Sequence, residues 1–149
     1  MAIEKERKFL LKPGEIVLSN FISQKIQQAY LMLIDKDQLR VRIIDDKKAF
    51  LCYKKCFDKI TRGEYEYEIP LSDAKLLYNS AKYKLEKTRY KVYSKHDTCV
   101  DVYPNGLKVV EIEFEKDLDK KDIPSFCGKE ISGMKKYSNI QIAKKSKIK

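Results

Sequence analysis

The sequence predicts an all-β or β-dominated α+β fold built on an antiparallel sheet of about eight strands, and three observations lead there. Much of the chain between residues 3 and 115 reads as short runs in which apolar and polar residues alternate. Turn-forming stretches such as Lys12-Pro13-Gly14, Asp35-Lys36-Asp37 and Pro104-Asn105-Gly106 separate those runs. Only a few short segments carry helical spacing. A length of 149 residues, with no internal repeat or linker, fits one domain over 1–149 and one site.

Residues 3–11 (IEKERKFLL) alternate and stop at Pro13, which makes a first strand. The mixed segment 15–29 leaves room for a short helix, and Tyr30 to Leu33 form the next strand. Residues 38–44 (QLRVRII) and 49–55 (AFLCYKK) flank the polar turn Asp45-Asp46-Lys47-Lys48 as a β-hairpin. Residues 62–69 (RGEYEYEI) alternate strictly up to Pro70. Over 72–82, Ser72 is a plausible N-cap and Leu76, Leu77 and Ala81 fall at helical spacing, which predicts a helix. Strands follow at 84–93, 98–103 and 107–115, and the last third reads as loops with a short helix near 137–145.

The formal net charge of +10 suggests a polyanionic partner, which by charge alone could be nucleic acid, an anionic membrane or a small phosphate-rich ligand. Residues 144–149 read as a disordered basic tail; without its four lysines the net charge is still +6. Cys52, Cys56, Cys99 and Cys127 form no CxxC pair, and the single histidine, His96, sits in the polar turn 94–97, where it reads as solvated; a structural zinc site is not expected. With no apolar leader and no stretch of membrane-spanning length, a cytoplasmic protein with reduced thiols is the expectation. Cys52 and Cys56 share a face with Lys54 and read as small core thiols, while Tyr65, Tyr67 and Tyr90 pack the outside of the sheet against helices.

Residues two apart in a strand look the same way, so the charges sort by face. Glu4, Glu6 and Lys8 share one face, as do Arg40 with Arg42, Arg62 with Glu64 and Glu66, Lys87 with Arg89, and Glu111 with Glu113. A sheet with one face in water would also carry charges at this spacing. However, carboxylates two apart repel without a cation, arginines two apart repel without an anion, and here whole strands carry blocks of one sign. Such blocks fit a closed barrel in which acid-rich strands hold a divalent metal and base-rich strands grip polyphosphate.

These residues resemble the CYTH family, also called triphosphate tunnel metalloenzymes. The opening Glu4-Lys5-Glu6-Arg7-Lys8 is an ExExK motif. It is followed in order by Gln28-Ala29-Tyr30-Leu31, Arg40-x-Arg42, Lys54, Arg62-x-Glu64-x-Glu66, Lys87-x-Arg89-Tyr90, Val100-Asp101-Val102, Gly106-Leu107 and Glu111-Ile112-Glu113, and the likeness spans about residues 2–142. The resemblance implies an eight-stranded antiparallel β-barrel tunnel with a charged interior and a few flanking helices, which cleaves or cyclises triphosphates with Mg²⁺ or Mn²⁺, two ions in all. Carried over by position, Glu4, Glu6, Glu111 and Glu113 bind the principal metal. Glu64, Glu66 and Asp101 hold a second metal or orient water, with a role for Asp101 in orienting a phosphate-binding base as the alternative. Lys8, Arg40, Arg42, Lys54, Arg62, Lys87 and Arg89 contact the triphosphate, joined by Lys136 before Tyr137-Ser138-Asn139. Lys54, Glu64 and Glu66 are the candidates for deprotonating water. Cys52, Cys99 and Met134 depart from the family pattern, the first where threonine is common and the other two where an acid is.

The implied activity is hydrolysis of a triphosphate, with inorganic tripolyphosphate first because the likeness is to short single-domain members. Adenylate cyclase chemistry and thiamine or nucleoside triphosphate hydrolysis are the alternatives in the same tunnel. A non-catalytic polyphosphate or RNA binding module would explain the lysines but not the paired glutamates. The expected partner is therefore a small-molecule triphosphate rather than a specific nucleic acid or a membrane, in a monomer or a homodimer.

Overall fold

A side chain that must face a charged interior reverses the usual strand pattern, and the computed structural model shows that reversal around a ring. It describes every residue except Met1, Tyr93, Lys147 and Lys149. The strands are β1 (Ala2–Leu11), β2 (Ser23–Ile34), β3 (Asp37–Ile44), β4 (Lys48–Cys56), β5 (Thr61–Ile69), β6 (Tyr83–Val92), β7 (Asp97–Val102), β8 (Lys108–Glu113) and β9 (Cys127–Glu130). Helix α1 spans Leu71–Ser80 and α2 spans Asn139–Lys145.

The strands run in the order β5-β4-β3-β2-β6-β7-β8-β1, and β1 pairs back with β5, so eight antiparallel strands close a ring. The closing seam is short, from Ala2 opposite Glu64 to Lys5 opposite Thr61. Farther along β1, β9 takes the edge that β5 leaves, with Phe9 opposite Glu130. Hairpin geometry supports the register: Asp45 and Asp46 both hold positive φ, at 52° and 54°, between β3 and β4. Gly106, at φ 89°, turns the chain from β7 into β8.

Apolar side chains point out of the ring. Phe9, Val100, Val110 and Ile112 are covered by the loop residues Leu118, Phe126 and others, and Ala29, Val41, Ile43 and Ala49 are covered by Ala74 and Tyr78 of α1. Inside, the charged series stop at one common end. Leu10, Tyr30, Leu85, Tyr103 and Val109 each lie two residues from an inward polar residue, and they cluster with Ile131, Ile140 and Ala143. This apolar layer, backed by α2, plugs part of that end of the ring.

Several expectations change. The strand anticipated at Tyr30 begins seven residues earlier, because Gln28 is an inward, fully buried polar residue that breaks the apolar alternation; only a 3-10 turn at Leu18–Asn20 precedes it. Strand β9 has four residues, one of them glycine, too few to show a period. Helix α1 starts at Leu71 with Pro70, not Ser72, at its N-cap, and it buries Ala74 and Tyr78 while Leu76 is 69% exposed. Of the tail expected over 144–149, Lys144 and Lys145 belong to α2, and Lys147 and Lys149 lie outside the described residues. Tyr67, expected to pack under a helix, is 63% exposed, and His96 faces Asp122 at 3.7 Å instead of water alone. Among the described residues no helix is long and apolar enough to cross a membrane.

Candidate active site

The inward positions of six strands meet in a polar cavity of about 180 Å³. Its lining consists of Arg40, Arg42, Lys54, Arg62 and Arg89, of Glu4, Glu6, Glu64, Glu66, Glu111 and Glu113, and of Asn139 from α2. A wider cavity of about 560 Å³ adjoins it through Glu6 and Arg62, between the tip of the β2–β3 hairpin and the segment from Ile131 to Lys144.

The charges fall into groups that are satisfied to different degrees. Asp101 has no exposure; it accepts from Lys87 Nζ at 2.7 Å, Arg89 Nε at 2.8 Å and Arg89 Nη2 at 2.9 Å. Arg89 Nη2 reaches on to Glu111 at 3.0 Å, and Lys8 lies 3.5 Å from Glu111. Burial works against the charge of Glu111, but Lys8, Arg89 and Lys87 outweigh it and hold the carboxyl well below the usual range. Burial dominates at Lys87 and brings it down to about 8 despite Asp101.

Around Glu4 the balance is opposite. Glu4, Glu6 and Glu113 can each bring a carboxylate oxygen within 4.8 Å of the others. Partial desolvation, a hydrogen bond to Glu4 and the charges of Glu4 and Glu6 push Glu113 up to about 8. Among the described residues, only Lys54, 2.6 Å from Glu4, and Lys8, 3.7 Å from Glu6, form ion pairs with this group. Three hard oxygen donors short of positive charge fit Mg²⁺ or Mn²⁺ by chemistry.

A third group joins Glu64, Glu66 and Cys52. Desolvation opposes ionisation of Glu64, yet Lys54 and the hydrogen bonds from Glu66 and Cys52 bring it down to about 2, while Glu66 is raised by desolvation and by Glu64. Cys52 is buried, as expected of a small core thiol, but its Sγ lies 3.3 Å from Glu64 Oε1. Arg40 is the counterpart of the carboxylate excess. It is 3% exposed, and its Nε and Nη2 have no hydrogen-bond partner among the described residues. Buried donors left unpaired are costly, and an anion in the cavity would satisfy them.

The order of motifs and this geometry coincide with a match of residues 2–149 to the CYTH domain. The chain belongs to the CYTH family. It is 34% identical over 151 residues to an inorganic triphosphatase of Acetivibrio thermocellus, covering 97% of this chain and 95% of that one. The solved structure of the inorganic triphosphatase NE1496 is similar with a TM-score of 0.64 at 26% identity, over 96% of this chain and 95% of that one. The PH1012 protein of Pyrococcus horikoshii, at 19% identity and a TM-score of 0.63 over 80% of this chain and 82% of that one, shares the fold.

Within this CYTH domain, eleven of the anticipated positions line the central cavity, from Glu4 to Glu113. Lys8 lines the adjoining wider one. Lys87 and Asp101 line neither cavity and form a fully buried pair. Glu111 is drawn toward Arg89 and Lys8 and away from the Glu4 group with which the motif had placed it. Lys136 lines neither cavity; it is exposed, with its Nζ 5.3 Å from the ring of Tyr137, and Lys135 faces the wider cavity instead. Residues outside the anticipated set also take part. Gln28 accepts from Arg42 Nε at 3.2 Å and donates to the Tyr30 hydroxyl at 2.8 Å, and Asn139 reaches the cavity from α2. Gln28 stood in a quoted motif, but a glutamine gives no sign of facing inward. Asn139 comes from an element that the charge pattern does not cover.

Proposed function

We propose that this CYTH protein is a divalent-metal-dependent hydrolase of triphosphate compounds, with inorganic tripolyphosphate as its substrate. The observation that carries the reading is that one cavity leaves groups of both signs unsatisfied. The Glu4, Glu6 and Glu113 group is short of a cation, and two buried donors of Arg40 have no hydrogen-bond partner among the described residues. A metal–phosphate complex supplies both at once. The names of the related triphosphatases support the same substrate class.

Glu4, Glu6 and Glu113 would hold the principal ion, and Glu64 and Glu66 beside Cys52 offer the second position. The ion supplies Lewis-acid stabilisation of the phosphate charge. Arg40, Arg42, Arg62, Arg89 and Lys54 orient the phosphate chain and neutralise its oxygens as charge builds in the transition state. Water attacks the terminal phosphorus and the bridging P–O bond breaks, which gives orthophosphate and pyrophosphate. The water proton passes to a carboxylate of the cavity. Glu66, whose carboxyl desolvation and the neighbouring Glu64 raise, is the better-matched acceptor, and Lys54 restrains Glu4 and Glu64 together, at 2.6 and 3.9 Å. Asp101, fully buried, fixes Lys87 and Arg89. Four free cysteines suit a cytoplasmic, reducing setting.

Phosphate release from tripolyphosphate by the purified protein tests this, with Mg²⁺, with Mn²⁺ and with chelator, and with ATP in parallel. Orthophosphate release that chelator abolishes is the expected result. Cyclic AMP and pyrophosphate from ATP would reassign the protein to cyclisation, and no turnover of any triphosphate would end the enzymatic reading.

A further inference from the structure

Every described residue lining the central cavity comes from the ring except Asn139, the first residue of α2. Its backbone is held by packing. Ile140, Ile142 and Ala143 of the same helix join Leu85, Tyr103 and Val109 in the apolar plug, and the Ser138 hydroxyl accepts from Gln141 N at 3.3 Å. A side chain carried by such an element is positioned more closely than one on a free loop.

The amide is also oriented. The Tyr103 hydroxyl donates to Asn139 Oδ1. Tyr103 is 3% exposed, and its ring lies 5.9 Å from Lys87 Nζ, so it ties the plug to the buried Lys87–Asp101 pair. With Oδ1 occupied, Nδ2 is the amide atom left for the cavity. The flipped amide would turn a carbonyl oxygen toward a cavity lined by six glutamates.

We infer that Asn139 is a substrate-contacting residue that donates Nδ2–H to a phosphate oxygen, and that Tyr103 is the positioning residue that fixes its orientation. A neutral donor binds a phosphate oxygen without adding a positive charge to compete with the cation for Glu4, Glu6 and Glu113. It also makes the seating of α2 part of substrate recognition. The inference rests on the triphosphate reading above.

The variant Asn139→Asp separates this role from packing. It is nearly isosteric and still accepts from Tyr103, but it replaces the donor with a second carboxylate oxygen. A hydrogen bond to a charged group corresponds to roughly a ten- to hundredfold change in affinity. Calorimetric titration of tripolyphosphate in chelator, where nothing turns over, should show a loss of at least that size for Asn139→Asp and about tenfold for Asn139→Ala. Tyr103→Phe should lose less than either. With Mg²⁺ the Asp variant should raise KM by the same factor and change kcat less than threefold, at an unchanged melting temperature. Wild-type affinity in Asn139→Asp, or a loss that appears only together with a lowered melting temperature, would overturn the inference and leave the hydrolase reading intact. A wild-type protein that neither binds nor hydrolyses tripolyphosphate would overturn both.

Discussion

Two carboxylate groups inside the same ring are treated in opposite ways. Asp101 is closed off and accepts three hydrogen bonds from Lys87 and Arg89, whose charges hold its carboxyl below the usual range against the cost of burial. Glu4, Glu6 and Glu113 line the open cavity and share too little positive charge, so Glu113 is pushed up to about 8. The contrast separates a structural buried ion pair, complete within the protein, from a set of donors that is complete only with a ligand. It also explains why spacing alone could not divide the acids, since both groups sit at alternate strand positions.

The largest effect should come from emptying the open group. Glu4→Gln with Glu113→Gln should lower tripolyphosphate turnover about a thousandfold or more and weaken Mn²⁺ binding in step, as followed by phosphate release and calorimetry. Retained metal affinity would break the comparison at its open end.

Asp101→Ala should act on the fold first. Leaving Lys87 and Arg89 without their shared partner should cost about 3–5 kcal/mol, read by denaturant unfolding, while Mn²⁺ affinity changes only a few-fold. A loss of metal affinity as large as that of the Glu4 and Glu113 variant would make Asp101 a ligand after all.

The pH response sharpens the contrast further. Because Glu113 titrates near 8 when folded and in the ordinary carboxylate range when unfolded, the metal-free folded protein binds more protons between those values. Its stability should therefore fall as pH rises through that window, as measured by melting temperature. Adding Mg²⁺ at pH 7 should release up to about one proton per chain and remove the trend. Glu113→Gln should abolish both responses.

The smallest effect is expected at Lys136. Since it is exposed on Tyr137 and lines neither cavity, Lys136→Ala should leave KM and kcat within about twofold of wild type. A tenfold rise in KM would return it to the substrate site.

Much of the ring was legible in the sequence, because a strand repeats every two residues and turns need particular residue types. Seven of its strands were foreseen close to their observed bounds, and Glu4, Glu6, Arg40, Arg42, Arg62, Glu64, Glu66, Glu111 and Glu113 fell on the faces that alternation gave them. Where a polar residue such as Gln28 faces inward, the same rule fails, since buried and solvated polar positions look alike in a sequence. Strand β9 and the seating of α2 were hidden for another reason: four residues, or seven, carry too little periodicity.

The sequence by itself determined which residues share a face and that blocks of like charge needed counter-charge. Which block the protein neutralises from within, and which it leaves for a ligand, was decided by tertiary structure alone. Alternation fixes direction within one strand, whereas charge compensation depends on distances of a few ångström between strands far apart in the chain. Closing the ring sets those distances. The β6–β7 pairing sets Lys87 and Arg89 onto Asp101, the ring as a whole leaves Arg40 Nε and Nη2 without a hydrogen-bond partner among the described residues, and the docking of α2 carries Asn139 to the cavity wall.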